Sequence, residues 1–133
     1  MPRHAPTEAD YRRLAAWRYA LRRFLRFSEE AARRAGVSPS QYQLMLFVRG
    51  FPDGAPAIAD LADRLQIHHQ SAVGLVDRSE SAGLVRRVPD SSDRRRVRIA
   101  LTPRGTSLIR RLVVEHLRTI AALGRDFTPP VRN

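Results

Sequence analysis

The segment "PDSSDRRRVRIALTPRG", Pro89–Gly105, combines a dense cluster of arginines with a short alternating pattern of apolar residues. Every second residue from Val97 to Leu101 is apolar, which is the period of a half-buried β-strand. The polar run before it is typical of a tight turn, and an apolar segment, Leu84–Val88, precedes that turn. The sequence therefore predicts a β-hairpin with its tip at Ser91–Arg95 and with arginines at the tip and on the solvent face.

Two short amphipathic helices are predicted upstream of this hairpin, in "AIADLADRLQIHHQSAVGLVDRSESAGLV", residues 57–85. Each has apolar residues at spacings of three and four, which form one buried face. The first set contains Ile58, Leu61, Ala62, Leu65 and Ile67, and the second contains Ala72, Leu75 and Val76. The polar link "QIHHQ" leaves room only for a sharp angle, so the pattern is that of a helix-turn-helix whose second helix begins near His69 or Gln70.

Two further helices are predicted before the helix-turn-helix. A helix over residues 10–35 carries an apolar stripe on one face and arginines on the other, and Gly36 can end it. The stretch "GVSPSQYQLMLFV" starts another helix, in which Ser38 and Gln41 form a capping box around Pro39.

The last predicted helix begins at Thr102–Pro103 and ends at Gly124, and the tail after it contains two prolines that exclude a helix. The expected fold class is therefore mainly α with a small β-hairpin, in a single winged-helix domain over residues 1–133. Its parts are a lobe at residues 38–101, terminal helices at 8–36 and 103–124, and a tail at 125–133.

The composition excludes several classes of protein. The 133 residues, 43% of them hydrophobic, suffice for one domain with a core. No cysteine is present, which excludes disulfides, thiolate zinc sites and thiol redox sensing. No apolar run is long enough for a membrane span, and the start "MPRHAPTEADYRR" lacks the apolar core of a signal peptide. We therefore expect a cytoplasmic protein without a membrane partner.

The net charge of +11 is unevenly distributed. All 24 basic residues are arginine; residues 86–111 contain nine of them against two aspartates, whereas residues 53–83 contain two against five acids. A charge of this size attracts polyanions such as nucleic acids. The hairpin and its flanking helices are therefore expected to supply phosphate contacts, and the second short helix to read bases.

No motif for catalysis or metal binding is present. The chain lacks a glycine-rich phosphate loop, an HExxH motif and paired carboxylates with a partner base, so we expect no enzyme activity and no cofactor. His68 and His69 would point about 100° apart on a helix, which makes a poor chelate; they either contact a phosphate or base, or lie on the surface. His116 lies on an apolar stripe and is expected to be packed in the core or at an interface.

These features together resemble the MarR family of bacterial winged helix-turn-helix transcription regulators, over about residues 8–124. "IADLADRLQI" looks like the family's first helix-turn-helix helix, and "SAVGLVDRSESAGLV" looks like its recognition helix running into the first strand of the wing. "DRRRVRIALTPRG" is similar to the family's wing motif, because Asp-x-Arg, a strand and Leu-Thr-x-x-Gly fall in register. The last stretch is the most specific.

The resemblance implies a sequence-specific regulator that binds double-stranded DNA as a homodimer on a pseudo-palindromic operator, and a repressor that a small molecule releases. In the family, the first helix and the last one or two helices form the dimer. This sequence stops where a final helix would run. The dimer therefore either relies on the helices at 8–36 and 103–124 or is weaker than usual.

By the same resemblance, Asp93, Arg94 and Arg95 occupy the tip of the wing. Arg95 aligns with the family arginine that enters the DNA minor groove, where a planar charged group suits the negative potential. Asp93 is expected to orient an arginine by a charge-assisted hydrogen bond. Arg96 and Arg98 are expected to face phosphates. An ordinary solvated hairpin is the alternative interpretation of this cluster.

Six residues of the recognition helix are candidate DNA contacts: His69, Gln70, Ser71, Val73, Gly74 and Arg78. Gln70 and Ser71 can hydrogen-bond base edges, and Val73 can touch a thymine methyl group. Gly74 either allows close approach to DNA or is merely tolerated, and Arg78 is a phosphate candidate. Ser79 departs from the family, where a leucine packs into the core, so we expect a looser contact or a polar compensation.

The aromatic residues of the first two long helices suggest an effector site. Trp17, Arg22, Phe27 and Tyr42 are candidates for a cavity that binds a small aromatic or anionic molecule, as the resemblance implies; simple core and dimer packing is the alternative. Two other functions stay open, a non-specific RNA-binding or nucleoid protein and a small-molecule enzyme. A reading helix without a basic surplus disfavours the first, and the lack of a catalytic motif disfavours the second.

Overall fold

The computed structural model of the protein describes residues 4–52 and 54–130. In chain order its elements are α1 (Glu8–Arg34), α2 (Pro39–Arg49), α3 (Ile58–Leu65), α4 (His69–Ser81), β1 (Val85–Pro89), β2 (Val97–Leu101), α5 (Pro103–Leu123) and a 3-10 helix (Gly124–Phe127). The predicted fold class is confirmed: helices dominate, and a helix-turn-helix and a hairpin lie between two long terminal helices.

Local sequence determines where the first two helices meet. Gly36, at φ 83°, adopts the left-handed conformation that ends α1, and the Val37 N–H donates to the Ala32 carbonyl at 3.1 Å. The Ser38 hydroxyl accepts from the Gln41 N–H at 3.1 Å, and the Gln41 side chain accepts from the Ser38 N–H at 3.0 Å. This predicted capping box starts α2, so the chain changes direction within a few residues while its terminal N–H groups stay paired.

The hydrophobic core lies between the C-terminal half of α1, the helices of the lobe, the hairpin and the first half of α5. Its fully buried large side chains include Leu44, Met45, Leu61, Val76, Leu84, Val85 and Ile99. They come from α2, α3, α4 and the hairpin, so the same core supports the helix-turn-helix and the strands beside it.

The hairpin is antiparallel and is attached to the rest of the lobe along β2. The Ile99 N–H donates to the Pro56 carbonyl at 2.8 Å, so the connection between α2 and α3 pairs with the outer edge of β2. Val97 is 40% exposed, although the alternation predicted an inward position. It pairs with Pro89 at the end of the hairpin next to the tip, where the core no longer covers it.

The start of α5 is joined to the segment that follows α4. Thr102 donates its N–H to the Leu84 carbonyl at 3.1 Å, while its hydroxyl accepts from the Gly105 N–H at 3.0 Å. Arg104 donates to the Ala82 carbonyl, at the C-terminal cap of α4, at 3.1 Å. A side chain at Gly105 would collide with the Leu84 carbonyl, which explains the glycine of the Leu-Thr-x-x-Gly motif.

The predicted tail begins with ordered structure that the prolines did not indicate. Gly124 ends α5 as predicted, and a 3-10 helix then brings the Phe127 ring to 5.1 Å from the Phe24 ring of α1. This turn forms because Phe127 can cover an aromatic side chain that α5 leaves open. The last three residues of the tail, 131–133, lie outside the described residues.

Candidate nucleic-acid interface

Helices α3 and α4 form the predicted helix-turn-helix. After Leu65, Gln66 takes a left-handed conformation, with φ 54°, that redirects the chain. The Ile67 N–H donates back to the Ala62 carbonyl at 3.0 Å, which completes the cap of α3. Since α4 begins at His69, as predicted, the turn between the two helices is short and stiff.

Helix α4 has one buried and one exposed face. The buried face consists of Ala72, Leu75, Val76 and Ser79. The exposed face carries four of the predicted DNA contacts: His69, Gln70, Ser71 and Arg78. The side chains of Gln70 and Ser71 form no hydrogen bond to another described residue. The first turn of α4 therefore presents polar groups that an external partner can use.

Gly74 and Val73 are only half-buried on this helix. A Cβ atom at Gly74 would lie 3.2 Å from Nη1 of Arg78, so the Arg78 side chain lies back along the helix over the glycine. Because Arg78 is exposed and its guanidinium can move, this contact does not by itself require a glycine at position 74. Close approach of DNA at this position stays a prediction.

Ser79 is fully buried, and its hydroxyl has no hydrogen-bond partner among the described residues. The expectation of a polar compensation is therefore wrong for this part of the chain. An unpaired buried hydroxyl costs roughly 1–3 kcal/mol. Ser79 thus weakens the packing of α4 on the core without disrupting the helix.

The tip of the hairpin presents three consecutive arginines to solvent. Arg94, Arg95 and Arg96 are exposed, and the Arg95 side chain is 92% accessible. The Asp93 Oδ1 atom accepts from the Arg95 N–H at 3.0 Å and lies 3.5 Å from the Arg95 Nε. Asp93 therefore makes the expected contact with an arginine, and it also shapes the turn.

Arg98 lies on the face of β2 opposite the buried Ile99, as predicted, but its side chain is only 27% accessible and is paired within the protein. Its Nε and Nη2 atoms each lie 3.1 Å from Asp90 Oδ2, and its Nη1 donates to the Ala55 carbonyl at 3.0 Å. The guanidinium thus ties the base of the hairpin to the connection between α2 and α3. The alternating pattern could not indicate these partners, because they lie in the turn and in the connection that pairs with the edge of β2.

Asp90 is the acidic partner at the base of the hairpin, and its side chain is only 7% accessible. The N–H and the hydroxyl of Ser92 each donate to Asp90 Oδ1 at 2.9 Å. These hydrogen bonds, with a smaller contribution from Arg98, lower the pKa of Asp90 to about 2. In the sequence Asp90 is one acid of a polar turn; its role as an anchor arises only in the fold.

A second ion-pair cluster, which sequence reasoning missed, links the hairpin to α4. From β1, the Nη2 atom of Arg87 lies 2.7 Å from Asp77 Oδ1, and its Nη1 lies 2.6 Å from Glu80 Oε1. The hydrogen bond to Asp77 is the largest cause of the raised pKa of Arg87. Two acids three residues apart on α4 were the available signal, but their partner lies on another element.

Two of the predicted effector residues, Tyr42 and Phe27, pack against the same histidine. Tyr42 stacks on the His116 ring at 4.4 Å, and Phe27 meets that ring edge-on at 5.2 Å. The Nε2 atom of His116 lies 2.8 Å from Ser28 Oγ, so the histidine is packed in the core, one of the two expected positions. Burial raises the pKa of the Tyr42 hydroxyl. Arg22, on the exposed face of α1, lines an open groove of about 500 Å³ together with Phe27.

Trp17, the fourth of these residues, lines a separate cleft of about 420 Å³ between α1 and the C-terminal segment. Arg13 and Arg125 also line this cleft, and Arg13 pairs with Asp10 at 2.9 Å. A single effector cavity around all four residues stays a prediction, since Trp17 lines one cleft and Arg22 and Phe27 line another. Tyr42 and Phe27 contribute to the core, whereas Trp17 remains half-exposed.

Within residues 4–52 and 54–130, no group of three or more possible ligands is placed to hold a metal ion. His68 and His69 are both exposed beside the turn of the helix-turn-helix. In the same part of the chain, no helix is long and apolar enough to cross a membrane.

Comparison with known proteins finds a family match over the middle of the chain. Residues 35–96, which include α2 to α4 and the tip of the hairpin, match the MarR family model. The regulator PecS of Dickeya dadantii is 40% identical over 67 residues, and the regulator YsmB of Bacillus subtilis is 26% identical over 99 residues. The alignments cover 48% and 74% of this chain, which spans 40% and 66% of the lengths of these relatives.

Solved structures share the fold over most of the chain. A MarR family protein from Bacillus stearothermophilus superposes with a TM-score of 0.77 at 24% identity, covering 93% of this chain and 86% of its own. MepR of S. aureus, in a complex with an oligodeoxyribonucleotide, gives 0.69 at 19% identity, with coverage of 80% and 77%. CouR of Rhodococcus jostii, bound to p-coumaroyl-CoA, gives 0.68 at 24% identity, with coverage of 80% and 73%. The MarR family match thus covers the helix-turn-helix and the wing, and the solved structures show that the chain shares the winged helix-turn-helix fold of MarR family proteins.

Proposed function

We propose that the protein is a transcription regulator that binds specific sites in double-stranded DNA, without enzyme activity or a cofactor. One observation carries this proposal. The first turn of α4 presents Gln70 and Ser71 with free polar groups, and the neighbouring hairpin presents Arg94–Arg96 to solvent. Polar side chains at the start of a recognition helix can read base edges in the major groove, and a flanking basic hairpin can hold the backbone or the minor groove.

Charge distribution supports a division of labour between these two parts. Asp77 and Glu80 lie on α4, so this helix does not attract phosphates by a basic surplus of its own. The arginines at the hairpin tip supply that attraction, while α4 discriminates between bases. A binder that only neutralises phosphates would have no reason to place uncharged donors at the start of α4. The complex of MepR with an oligodeoxyribonucleotide is a precedent from the same fold.

The proposal includes a homodimer formed by α1 and α5. Both helices carry large apolar side chains on their outer surface, between 43% and 61% exposed: Tyr11, Leu14, Leu25, Val114 and Leu117. Exposed apolar groups in such numbers are typical of an interaction surface. A two-fold dimer presents two recognition helices in opposite orientations, which fits a pseudo-palindromic operator.

Repression that a small molecule releases is the regulatory part of the proposal. CouR, with the same fold, is seen with p-coumaroyl-CoA bound. In this chain the cleft beside Trp17 offers an aromatic surface to a small aromatic anion, and Arg125 is its candidate cation, although Asp126 also lines the cleft. Tyr42 is a poorer candidate because it already stacks on His116.

The test is selection of bound duplexes from a pool of random DNA sequences. We expect a two-fold-symmetric consensus, because two copies of α4 read the two half-sites. The double variant Gln70→Ala/Ser71→Ala is the matched control: it keeps the wing, so it should still bind DNA while its consensus degrades at one position or more in each half. Binding without any preferred sequence, or equal binding to RNA, would contradict the proposal.

The oligomeric part is tested separately by sedimentation. Leu117, the most exposed of the apolar side chains on the proposed interface, is changed to glutamate. The variant Leu117→Glu should sediment as a monomer at concentrations at which the unchanged protein is a dimer. Tyr19→Glu, an exposed position on the arginine-rich face of α1, should remain a dimer. Identical behaviour of both variants would place the interface elsewhere.

A further inference from the structure

Arg87 connects the two parts of the proposed DNA-binding surface. Its side chain extends from β1 to α4, where its two terminal nitrogens contact Asp77 and Glu80 at 2.7 and 2.6 Å. Its backbone N–H donates to the other oxygen of Glu80 at 3.2 Å. On the strand, Arg87 stands opposite the fully buried Ile99, so the core holds the position from which the guanidinium reaches out.

The ion pairs of Arg87 lie on the face of α4 that also carries the base-reading candidate Gln70. Asp77 follows Gln70 by seven residues, which is nearly two full turns, so both side chains lie on one stripe of the helix. The distance between them along the axis is roughly 10 Å. A change of about 10° in the inclination of α4 around Asp77 therefore moves Gln70 by roughly 2 Å, which is enough to break a hydrogen bond.

Both ends of the guanidinium are occupied inside the protein. A planar fork that already contacts two carboxylates is poorly placed to bind a phosphate as well. It also neutralises two acids that would otherwise repel the DNA backbone beside α4. Arg86, the preceding residue, provides the contrast, since it is exposed and forms no ion pair within the part of the chain that the structure describes.

We propose that Arg87 is a positioning residue that holds α4 at a fixed inclination to the wing and so determines how sharply Gln70 and Ser71 discriminate between bases. The inference rests on the proposed function and adds to it a determinant of specificity that does not itself touch DNA. Arg87 acts through α4. Its loss is therefore expected to reduce selectivity between DNA sequences rather than to lower the affinity for all sequences equally.

The DNA experiment compares Arg87→Gln with the matched control Arg86→Gln on the selected operator and its single-base variants, at two salt concentrations. For Arg87→Gln, we expect selectivity at the positions read by α4 to fall by about threefold to tenfold, with the salt slope unchanged. Arg87→Lys, which keeps the charge but cannot form the fork, should give an intermediate loss. Arg86→Gln should keep the selectivity.

The double variant Asp77→Asn/Glu80→Gln separates position from charge. It removes the ion pairs but also the two acids, so it should lose selectivity without adding repulsion. If Arg87→Gln instead weakens every duplex equally and makes the salt slope of the dimer shallower by about 2, Arg87 is a phosphate contact and the proposal is overturned.

A second experiment needs no DNA. The chain has no cysteine, so Ser71→Cys and Ser91→Cys allow spin labels to be attached at the start of α4 and near the wing tip only. Arg87→Gln should broaden or shift the distance distribution between the labels, and Arg86→Gln should leave it unchanged. An unchanged distance distribution in Arg87→Gln would overturn the positioning role, whether or not the protein binds specific DNA. A protein without any preferred DNA sequence would contradict the proposed function instead.

Discussion

The tip and the base of the hairpin use the same residue type in opposite ways. At the tip, Arg94, Arg95 and Arg96 extend into solvent. At the base, Arg98 is held by Asp90, and Arg87 is held by acids of α4. All five residues contribute equally to the net charge, yet only those at the tip are available to a polyanion. The density of arginine in the sequence therefore overstates the surface that can meet DNA, and it conceals how the hairpin is held in place.

Removing Arg95 should have the largest effect, and it should fall on DNA binding alone. For Arg95→Ala we expect operator affinity to drop roughly tenfold to a hundredfold, because the proposed minor-groove cation is lost from each protomer of the proposed dimer. Six tip arginines in a dimer predict a salt slope of about −5, and the variant should be shallower by about 2. Titration against the operator at several salt concentrations measures both.

Gln70→Ala is the control for this change. It should keep the salt slope and relax preference at one base pair in each half-site, by roughly 1–3 kcal/mol. If Arg95→Ala altered major-groove preference while Gln70→Ala weakened all sites equally, the roles of the wing and of α4 would be exchanged.

The next largest effect is expected on thermal stability, for a change at the base of the hairpin. Arg98→Ala leaves the Asp90 carboxylate with the Ser92 donors alone and frees the connection at Ala55, so the melting temperature should fall by several degrees. Arg96→Ala, two residues away on the exposed side, should melt like the unchanged protein. An unaltered melting temperature for Arg98→Ala, together with a shallower salt slope, would assign Arg98 to the DNA surface after all.

A smaller effect should appear in the pH dependence of stability, which we expect to come from Asp90 at the base of the hairpin. The pKa of Asp90 is about 2 in the folded chain against an ordinary 3.8, so the folded state keeps its charge where the unfolded chain takes up a proton. The resulting stabilisation is fully present above the ordinary pKa and is lost as pH falls towards 2. Melting curves of Asp90→Asn should therefore fall less steeply than those of the unchanged protein in this range.

Arg98→Gln provides the comparison for that measurement. It should keep most of the pH dependence, because the Ser92 hydrogen bonds lower the pKa of Asp90 more than Arg98 does. Superimposable curves for Asp90→Asn and the unchanged protein would show that the carboxyl is not held as described.

The smallest effect concerns a buried polar group that, unlike Asp90, has no partner in the described chain. Ser79→Ala should raise the free energy of unfolding by about 1 kcal/mol, because it removes an unpaired hydroxyl from the core. Ser81→Ala, an exposed position at the end of α4, is the matched control in urea denaturation and should change little. A loss of stability in Ser79→Ala would mean that the hydroxyl has a partner in solution.

Local patterns predicted the helix ends and the hairpin well, because the groups that decide them are neighbours in sequence. Ser38 finds Gln41 three residues later, and Gly36 ends α1 through its own backbone. The Leu-Thr-x-x-Gly motif likewise predicted the start of α5. The family resemblance further predicted which residues lie at the tip of the wing, where Asp93 contacts Arg95.

Local sequence patterns could not predict contacts between segments that are far apart in the chain. Arg98 finds the carbonyl of Ala55, 43 positions away, and Tyr42 meets His116 across three helices. The period of a strand indicates which side of it a residue occupies, but it does not indicate that another segment covers that side. For the same reason the sequence did not indicate that Phe27 and Tyr42 both pack on His116 while Trp17 lines a different cleft.

The joint between α4 and α5 has a consequence for the spacing of operators. Since Thr102 and Gly105 close directly on Leu84, and Arg104 reaches Ala82, the end of α4 cannot shift without α5. In a dimer built on α5, the phase between the two half-sites along the double helix is then set by the angle at which the two α5 helices cross. A variant or ligand that changes this crossing would retune the preferred spacer length between half-sites while leaving the sequence of each half-site unchanged.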